Sequence, residues 1–230
     1  MSKRTDSGSP GFEVRLLTCG YLPKRTTSWI YLRPMKRSPA ASVRLGGLAG
    51  GGRRFGPDGR FERLHVDDPF RTVAAVLNSP VGPLVAFGTV LPWHSDAGHL
   101  RANPMKQWAE QDRVLPLQVA EWRRLRQNFP DLPLVVAGDL NMNLGGKHYY
   151  GTARGRQTLR DGLAELGLVC VTETARIPAG ALRNPPIDHV LVPDAWGPTS
   201  RVVGAWEGKT DDGLRLSDHS GLVVEATLNR

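Results

Sequence analysis

The stretch Leu134-Val135-Val136-Ala137-Gly138-Asp139-Leu140-Asn141 turns from wholly apolar to polar within a few residues. A short run with no polar side chain is what a strand buried on both faces requires, because neither side of its pleat meets water. Glycine and aspartate then end the run. Side chains just past a strand end are held at the rim of a sheet, where layered α/β folds bind ligands. The spacing therefore predicts a central strand over 134–137, with Asp139 and Asn141 at its rim.

Working outward, Thr72–Leu77 and Leu84–Val90 read as two strands joined by the turn Asn78-Ser79-Pro80-Val81-Gly82-Pro83. Leu115, Val119, Trp122, Leu125 and Phe129 recur at helical spacing, and Pro130 ends that amphipathic helix. A second helix carries Leu159, Leu163 and Leu166 on one face, with Gly167 placed as its stop. Val190–Val192 is another short strand. In the last strand Leu222, Val224, Ala226 and Leu228 alternate with Val223, Glu225 and Thr227, so one face is better buried than the other. No internal repeat is visible.

Polar clusters flank these strands in four places: Trp93-His94, Asp139 with Asn141, Asp188-His189 and Asp218-His219. Each has an ordinary explanation by itself. His94 suits a surface or capping role, and Gly138-Asp139 suits a turn. Asp188 after Pro185-Pro186 suits a loop acid bonding nearby amides, and Asp218 after Ser217 suits turn chemistry. Four such clusters in one order outweigh the separate explanations.

Gly-Asp-Leu-Asn at 138–141, Ile-Asp-His-Val at 187–190 and Ser-Asp-His at 217–219 together resemble the endonuclease/exonuclease/phosphatase superfamily, over about residues 70–230. The resemblance implies an α/β fold: a four-layer α/β sandwich with two central mixed β-sheets of the deoxyribonuclease I type, incomplete at its N-terminal side. It also implies hydrolysis of phosphate esters with a divalent metal, Mg²⁺ or Mn²⁺. By position, Asp139 resembles the acid that orients or deprotonates the attacking water. Asn141 resembles the amide that holds the phosphate and the neighbouring catalytic groups. His219 resembles the histidine that binds the scissile phosphate, and Asp188 the aspartate paired with it. Asp218 resembles a metal-site carboxylate, and His94 the second active-site histidine. His189 has no certain counterpart.

These residue types suit that chemistry. Negative charge spreads over the non-bridging oxygens in a phosphoester transition state, so catalysis is mainly positioning and charge stabilisation. Mg²⁺ prefers carboxylate and water oxygens and keeps several of its waters. A histidine beside a carboxylate stays oriented and more easily protonated.

The family's N-terminal asparagine and its Gln-Glu pair, which supplies the principal metal ligand, have no recognisable match. Among Asp6, Glu13 and Asp58, Glu13 has the best context for that ligand. Residues 1–60 hold 12 Lys/Arg against 3 Asp/Glu and include 10 Gly and 5 Pro, so the chain's net charge of +8 resides entirely there. Such a basic Gly/Arg-rich segment is expected to be poorly ordered or degenerate, leaving 61–230 as the hydrolase-type domain. Gly50-Gly51-Gly52 and Gly145-Gly146-Lys147 are not phosphate-binding P-loops, since no Gly-Lys-Ser/Thr sequence occurs there.

No stretch is long and apolar enough for a spanning helix. Cys19 and Cys170 have no metal-ligand spacing, and a reducing cytoplasm is the expected location. Three readings follow. The first is a phosphodiesterase, nuclease or phosphatase acting by in-line water attack. The second is a catalytically weak or inactive relative. The third is a nucleic-acid-binding protein working through its basic first 60 residues. The substrate stays open among nucleic acids, inositol phosphates and phospholipids. In the loop Met142–Arg156, Lys147 and the two tyrosines suit contact with a phosphate and a ring, or plain solvation.

Overall fold

The computed structural model describes residues 11–19, 27–34, 41–45, 61–79, 82–96, 107–209, 212–215 and 217–227, the first three ranges by backbone alone. In chain order the strands begin with β1 (Gly11–Cys19), β2 (Thr27–Pro34), β3 (Ala41–Leu45) and β4 (Phe61–Leu64). Then come β5 (Thr72–Ser79), β6 (Gly82–Val90), helix α1 (Ala109–Asn128), β7 (Leu134–Asp139) and helix α2 (Ala153–Leu166). The chain ends with β8 (Leu168–Cys170), β9 (Asp188–Pro193), β10 (Ser200–Trp206) and β11 (Gly221–Thr227).

One sheet has the order β4-β5-β6-β7-β9-β8, and the other β10-β11-β1-β2-β3. The first is mixed, with β6 and β7 parallel and its other pairs antiparallel. In the second every pairing is antiparallel. Two of its links, β1–β2 and β2–β3, join consecutive strands by short connections, which return the chain antiparallel.

The two-residue period of β5, β6, β7 and β9 builds the layers. Val85, Phe87, Leu134, Val136 and Leu191 face α1 and α2, where they meet Leu115, Val119, Trp122, Leu159 and Leu163. The rings of Phe87 and Trp122 meet edge to face, 6.1 Å apart. The alternate residues Leu84, Ala86, Val135, Ala137, Val190 and Val192 face Val202, Leu222, Val224 and Ala226 of the second sheet. β7 is buried along its whole length, as its apolar run predicts. At about 1.5–3 kcal/mol for each large apolar side chain buried, these two cores are the main source of stability. The described residues thus form three layers, a helix pair and two sheets, and no helix among them covers the outer face of the second sheet. No described helix is long and apolar enough to cross a membrane.

The helix ends follow local chemistry. The Thr152 hydroxyl accepts from the Gly155 N–H at the start of α2, and Gly167 ends that helix at φ 60°. Only glycine takes that conformation freely. α1 stops at Phe129, immediately before Pro130.

Residues 11–45, within the segment expected to be poorly ordered, contribute three strands. Val14–Leu17 and Trp29–Leu32, the two apolar runs of that segment, lie inside β1 and β2. β1 pairs antiparallel with β11.

Candidate active site

β7 and β9 run antiparallel with Asp139 opposite Asp188, so adjacent strand ends deliver two carboxylates to one point. Gly138, whose φ is 149°, lets β7 lie against β6, because a Cβ there would strike the Thr89 carbonyl. Both acids are almost fully buried, at 3% and 1% exposure. His219 arrives from the second sheet, two residues before β11. The Ser217 hydroxyl accepts its backbone N–H at 3.0 Å and shapes that turn. Its Nδ1 lies 2.7 Å from Asp188 Oδ2. Ligand atoms of Asp139, Asp188 and His219 all lie within 4.8 Å of one another.

Asn141 braces this group. It adopts the left-handed backbone region, φ 48°, which asparagine tolerates better than most residues. Its backbone N–H donates to Asp139 Oδ1 and its Nδ2 to Asp139 Oδ2, both at 2.8 Å. Nδ2 also donates to the Leu91 carbonyl at 2.8 Å, so both amide hydrogens point into the protein.

Crowding of buried charge sets the proton affinities. Burial, reinforced by the Asp188 charge, raises Asp139 to about 8 in spite of the Asn141 bonds. Burial alone would lower His219. Its hydrogen bond to Asp188 and the charges of Asp188, Asp139 and Asp218 outweigh that effect and raise it to about 9. At neutral pH His219 is thus an imidazolium, and Asp139 largely keeps its proton.

Three of the sequence-selected residues lie outside the cluster. Asp218 is exposed, though its charge still reaches His219 and Tyr150. His94 packs its ring on Trp93, Trp108 and Tyr150, and its Nδ1 is buried without a hydrogen-bond partner. Glu13 pairs with Glu225, four residues along β11 from Gly221, and its side chain lies outside the described residues. At about 3.3 Å per residue, that register puts Glu13 about 13 Å along the sheet from the end that carries His219.

Gln111 and Asn143 escape sequence reasoning, and together with His189, for which the sequence offers no certain role, they hold the loop that follows Asp139. Gln111, fully buried on α1, directs Nε2 at the carbonyls of Pro92, Leu140 and Asn141, at 3.1, 3.3 and 3.0 Å. His189 Nε2 meets the next carbonyl, that of Met142, at 2.9 Å. Its Nδ1 faces the Thr172 hydroxyl at 3.1 Å. Asn143 accepts from the backbone of Tyr149 and Tyr150 and donates to the Gly145 and Lys147 carbonyls, all at 3.1 Å. One signal was available, since Gln111 lies on the same helical stripe as Leu115 and Trp122, where a polar residue must be buried.

A buried pair of carboxylates beside a histidine can hold a divalent cation. The fit is supported by Asp188 Oδ1, which is buried with no hydrogen-bond partner, and by the burial and the Asp188 charge that raise Asp139. Oxygen donors suit Mg²⁺ or Mn²⁺.

No protein-family model matches the sequence, and neither does any curated protein. Solved structures resemble the fold. The endonuclease domain of TRAS1, a telomere-specific non-LTR retrotransposon, is 18% identical with a TM-score of 0.46, covering 76% of this chain and 72% of its own. The 3'-5' exonuclease NExo from Neisseria meningitidis is 19% identical with a TM-score of 0.48, covering 74% and 71%. The catalytic domain of human Nocturnin is 17% identical with a TM-score of 0.45, covering 75% and 59%. The chain is similar in its course to these endonuclease/exonuclease/phosphatase-type proteins.

Proposed function

We propose that the chain is a metal-dependent phosphoester hydrolase in which water attacks phosphorus in line with the leaving group. The observation that carries this reading is the buried convergence of Asp139, Asp188 and His219, drawn from strand ends of two sheets. Such a grouping has no packing rationale, because burying like charges together destabilises the fold. Asp139 and Asp188 would hold a Mg²⁺ or Mn²⁺ ion, which would supply charge neutralisation at the phosphoryl oxygens.

The chain's own groups do the rest. Asp139, kept ionised by a cation beside it, would accept the proton of the attacking water. Asn141 uses its amide hydrogens to orient Asp139 and to tie it to the Leu91 carbonyl, which makes it a brace for the base. His219, kept protonated by Asp188, donates to a non-bridging phosphate oxygen and offsets its developing charge. The site end of the sandwich is the substrate face for a phosphate ester. Cys170, a buried free thiol, accords with a reducing cytoplasm.

The test is hydrolysis of a simple phosphodiester in oxygen-18 water with Mg²⁺ or Mn²⁺. Label appearing in the phosphate product, with turnover abolished by EDTA, is expected. Label in the alcohol, or turnover that survives EDTA, would overturn the reading.

A further inference from the structure

Side chains alternate along β9, so Asp188 and His189 serve opposite faces of the first sheet. Asp188 shares its face with Val190 and Val192, which pack on the second sheet, and there it meets His219. His189 shares its face with Leu191, on the helix side, and is fully buried. Its ring therefore faces away from the carboxylates and takes no part in the hydrolytic steps. What it reaches instead is the loop that carries Asp139 and Asn141.

Both ring nitrogens are engaged. Nε2 lies 2.9 Å from the Met142 carbonyl, and since a carbonyl only accepts, Nε2 carries a hydrogen. Nδ1 lies 3.1 Å from the Thr172 hydroxyl, which itself accepts the Val190 N–H at 3.0 Å. The ring is thus held between the segment after β8 and the loop after β7, with β9 as its base. Met142 directly follows Asn141, whose φ of 48° costs energy and persists only where the surroundings hold it. Gln111 holds the Asn141 carbonyl and His189 the Met142 carbonyl. With the turn kept in this way, the Asn141 N–H and Nδ2 stay on the two Asp139 oxygens.

The same bond bears on the spacing of the two acids. Asp139 and Asp188 stand opposite each other on β7 and β9. Past them, the Leu140 N–H donates to the Ile187 carbonyl, and the His189–Met142 bond continues the connection between β9 and the loop. We infer that His189 is a positioning residue for the carboxylate pair. From the far face of the sheet its Nε2–H fixes the turn at Asn141 and, through it, the placing of Asp139 against Asp188. The consequence for metal and turnover rests on the hydrolase reading, whereas the hold on the turn is measurable without either.

The experiment compares the full chain with His189→Gln and His189→Asn. The longer glutamine amide reaches the place of Nε2, and the shorter asparagine amide only that of Nδ1. Both bury an amide where the ring was, so both should melt at a lower temperature. Deuterium exchange of the Asn141 N–H in metal-free solution, read by NMR, should stay slow with glutamine and quicken with asparagine. Mn²⁺ affinity, read by paramagnetic resonance, should stay near the wild-type value with glutamine. With asparagine it should fall about 10–100-fold, the usual effect of losing a group that orients a metal ligand. Turnover should follow the same order through kcat, with KM little changed. As a check that needs no variant, the Nε2–H of the unaltered chain should give a slowly exchanging proton resonance with cross-peaks to Met142. Equal exchange and equal Mn²⁺ affinity in the two variants, or an asparagine variant like the wild type, overturns the proposal. Absence of the Nε2–H resonance overturns it too. A wild-type chain that binds no Mn²⁺ counts against the hydrolase reading alone, and exchange at Asn141 still decides the role of His189.

Discussion

His219 and Asp188 meet at 2.7 Å although they belong to different sheets and stand 31 residues apart in the chain. The contact closes the sandwich at one end and fixes the protonation of the histidine. With a folded-state value of about 9 against an ordinary value of 6.5, His219 carries its proton through neutral pH. Stability from this raised group is fully present below pH 6.5 and is lost as pH rises through 9. Activity that needs the imidazolium follows the same direction and falls as pH rises through about 9. Asp188→Asn removes the partner and leaves burial to act, so the alkaline limb of the kcat/KM profile should move to lower pH. The His219 ring resonances in NMR should titrate lower as well. An unmoved limb would show that Asp188 does not control the histidine.

Gln111 is predicted to position the site without touching substrate. Two Nε2 hydrogens serve carbonyls of the loops after β6 and after β7. Gln111→Met removes the donors at nearly constant volume, and Gln111→Glu turns acceptor atoms toward those carbonyls. Both variants should lower kcat more than they raise KM, by about 10²-fold where the loop shifts by about 1 Å. Glu should be worse than Met, and a loss confined to melting temperature would reduce Gln111 to a purely structural role.

Asn143→Ala leaves the amides of Tyr149 and Tyr150 and the carbonyls of Gly145 and Lys147 without their side-chain partner. An unsatisfied buried group costs about 1–3 kcal/mol, so a lower melting temperature is expected. Limited proteolysis should cut first within 143–151. Unchanged protection of that loop would show that Asn143 does not hold it.

Much of the fold could be read locally. The apolar run of β7, the helical stripes of α1 and α2 and the alternation of β11 each report burial through spacing alone. β4 and β8 are too short to show a period, and β10 loses its period at an irregularity between Val202 and Gly204. Glycine and arginine obscured the strands of 11–45, whose pairing with β11 is a long-range property. In the site, Asp139 and Asn141 were legible because a strand end announces them. Gln111 and Asn143 were not, and His189 was seen without a role, because a buried amide or imidazole has the same letter as a solvated one until its partners are known. Glu13 illustrates the converse. Its local context suited a ligand, while the strand register places it far along the sheet from His219.

The central claim is that Asp139 and His219 serve one reaction, and a double-mutant cycle measures it most directly. Turnover of a phosphodiester with Mg²⁺ or Mn²⁺ is compared for the wild-type chain, Asp139→Asn, His219→Ala and the double variant. Each single change is expected to lower kcat/KM by about 10²–10⁴-fold, the usual size of a lost acid–base group. The double variant should be little worse than the weaker single one, because groups acting as a unit lose their effect together. Losses that multiply, or a single variant that keeps wild-type turnover, would contradict the account.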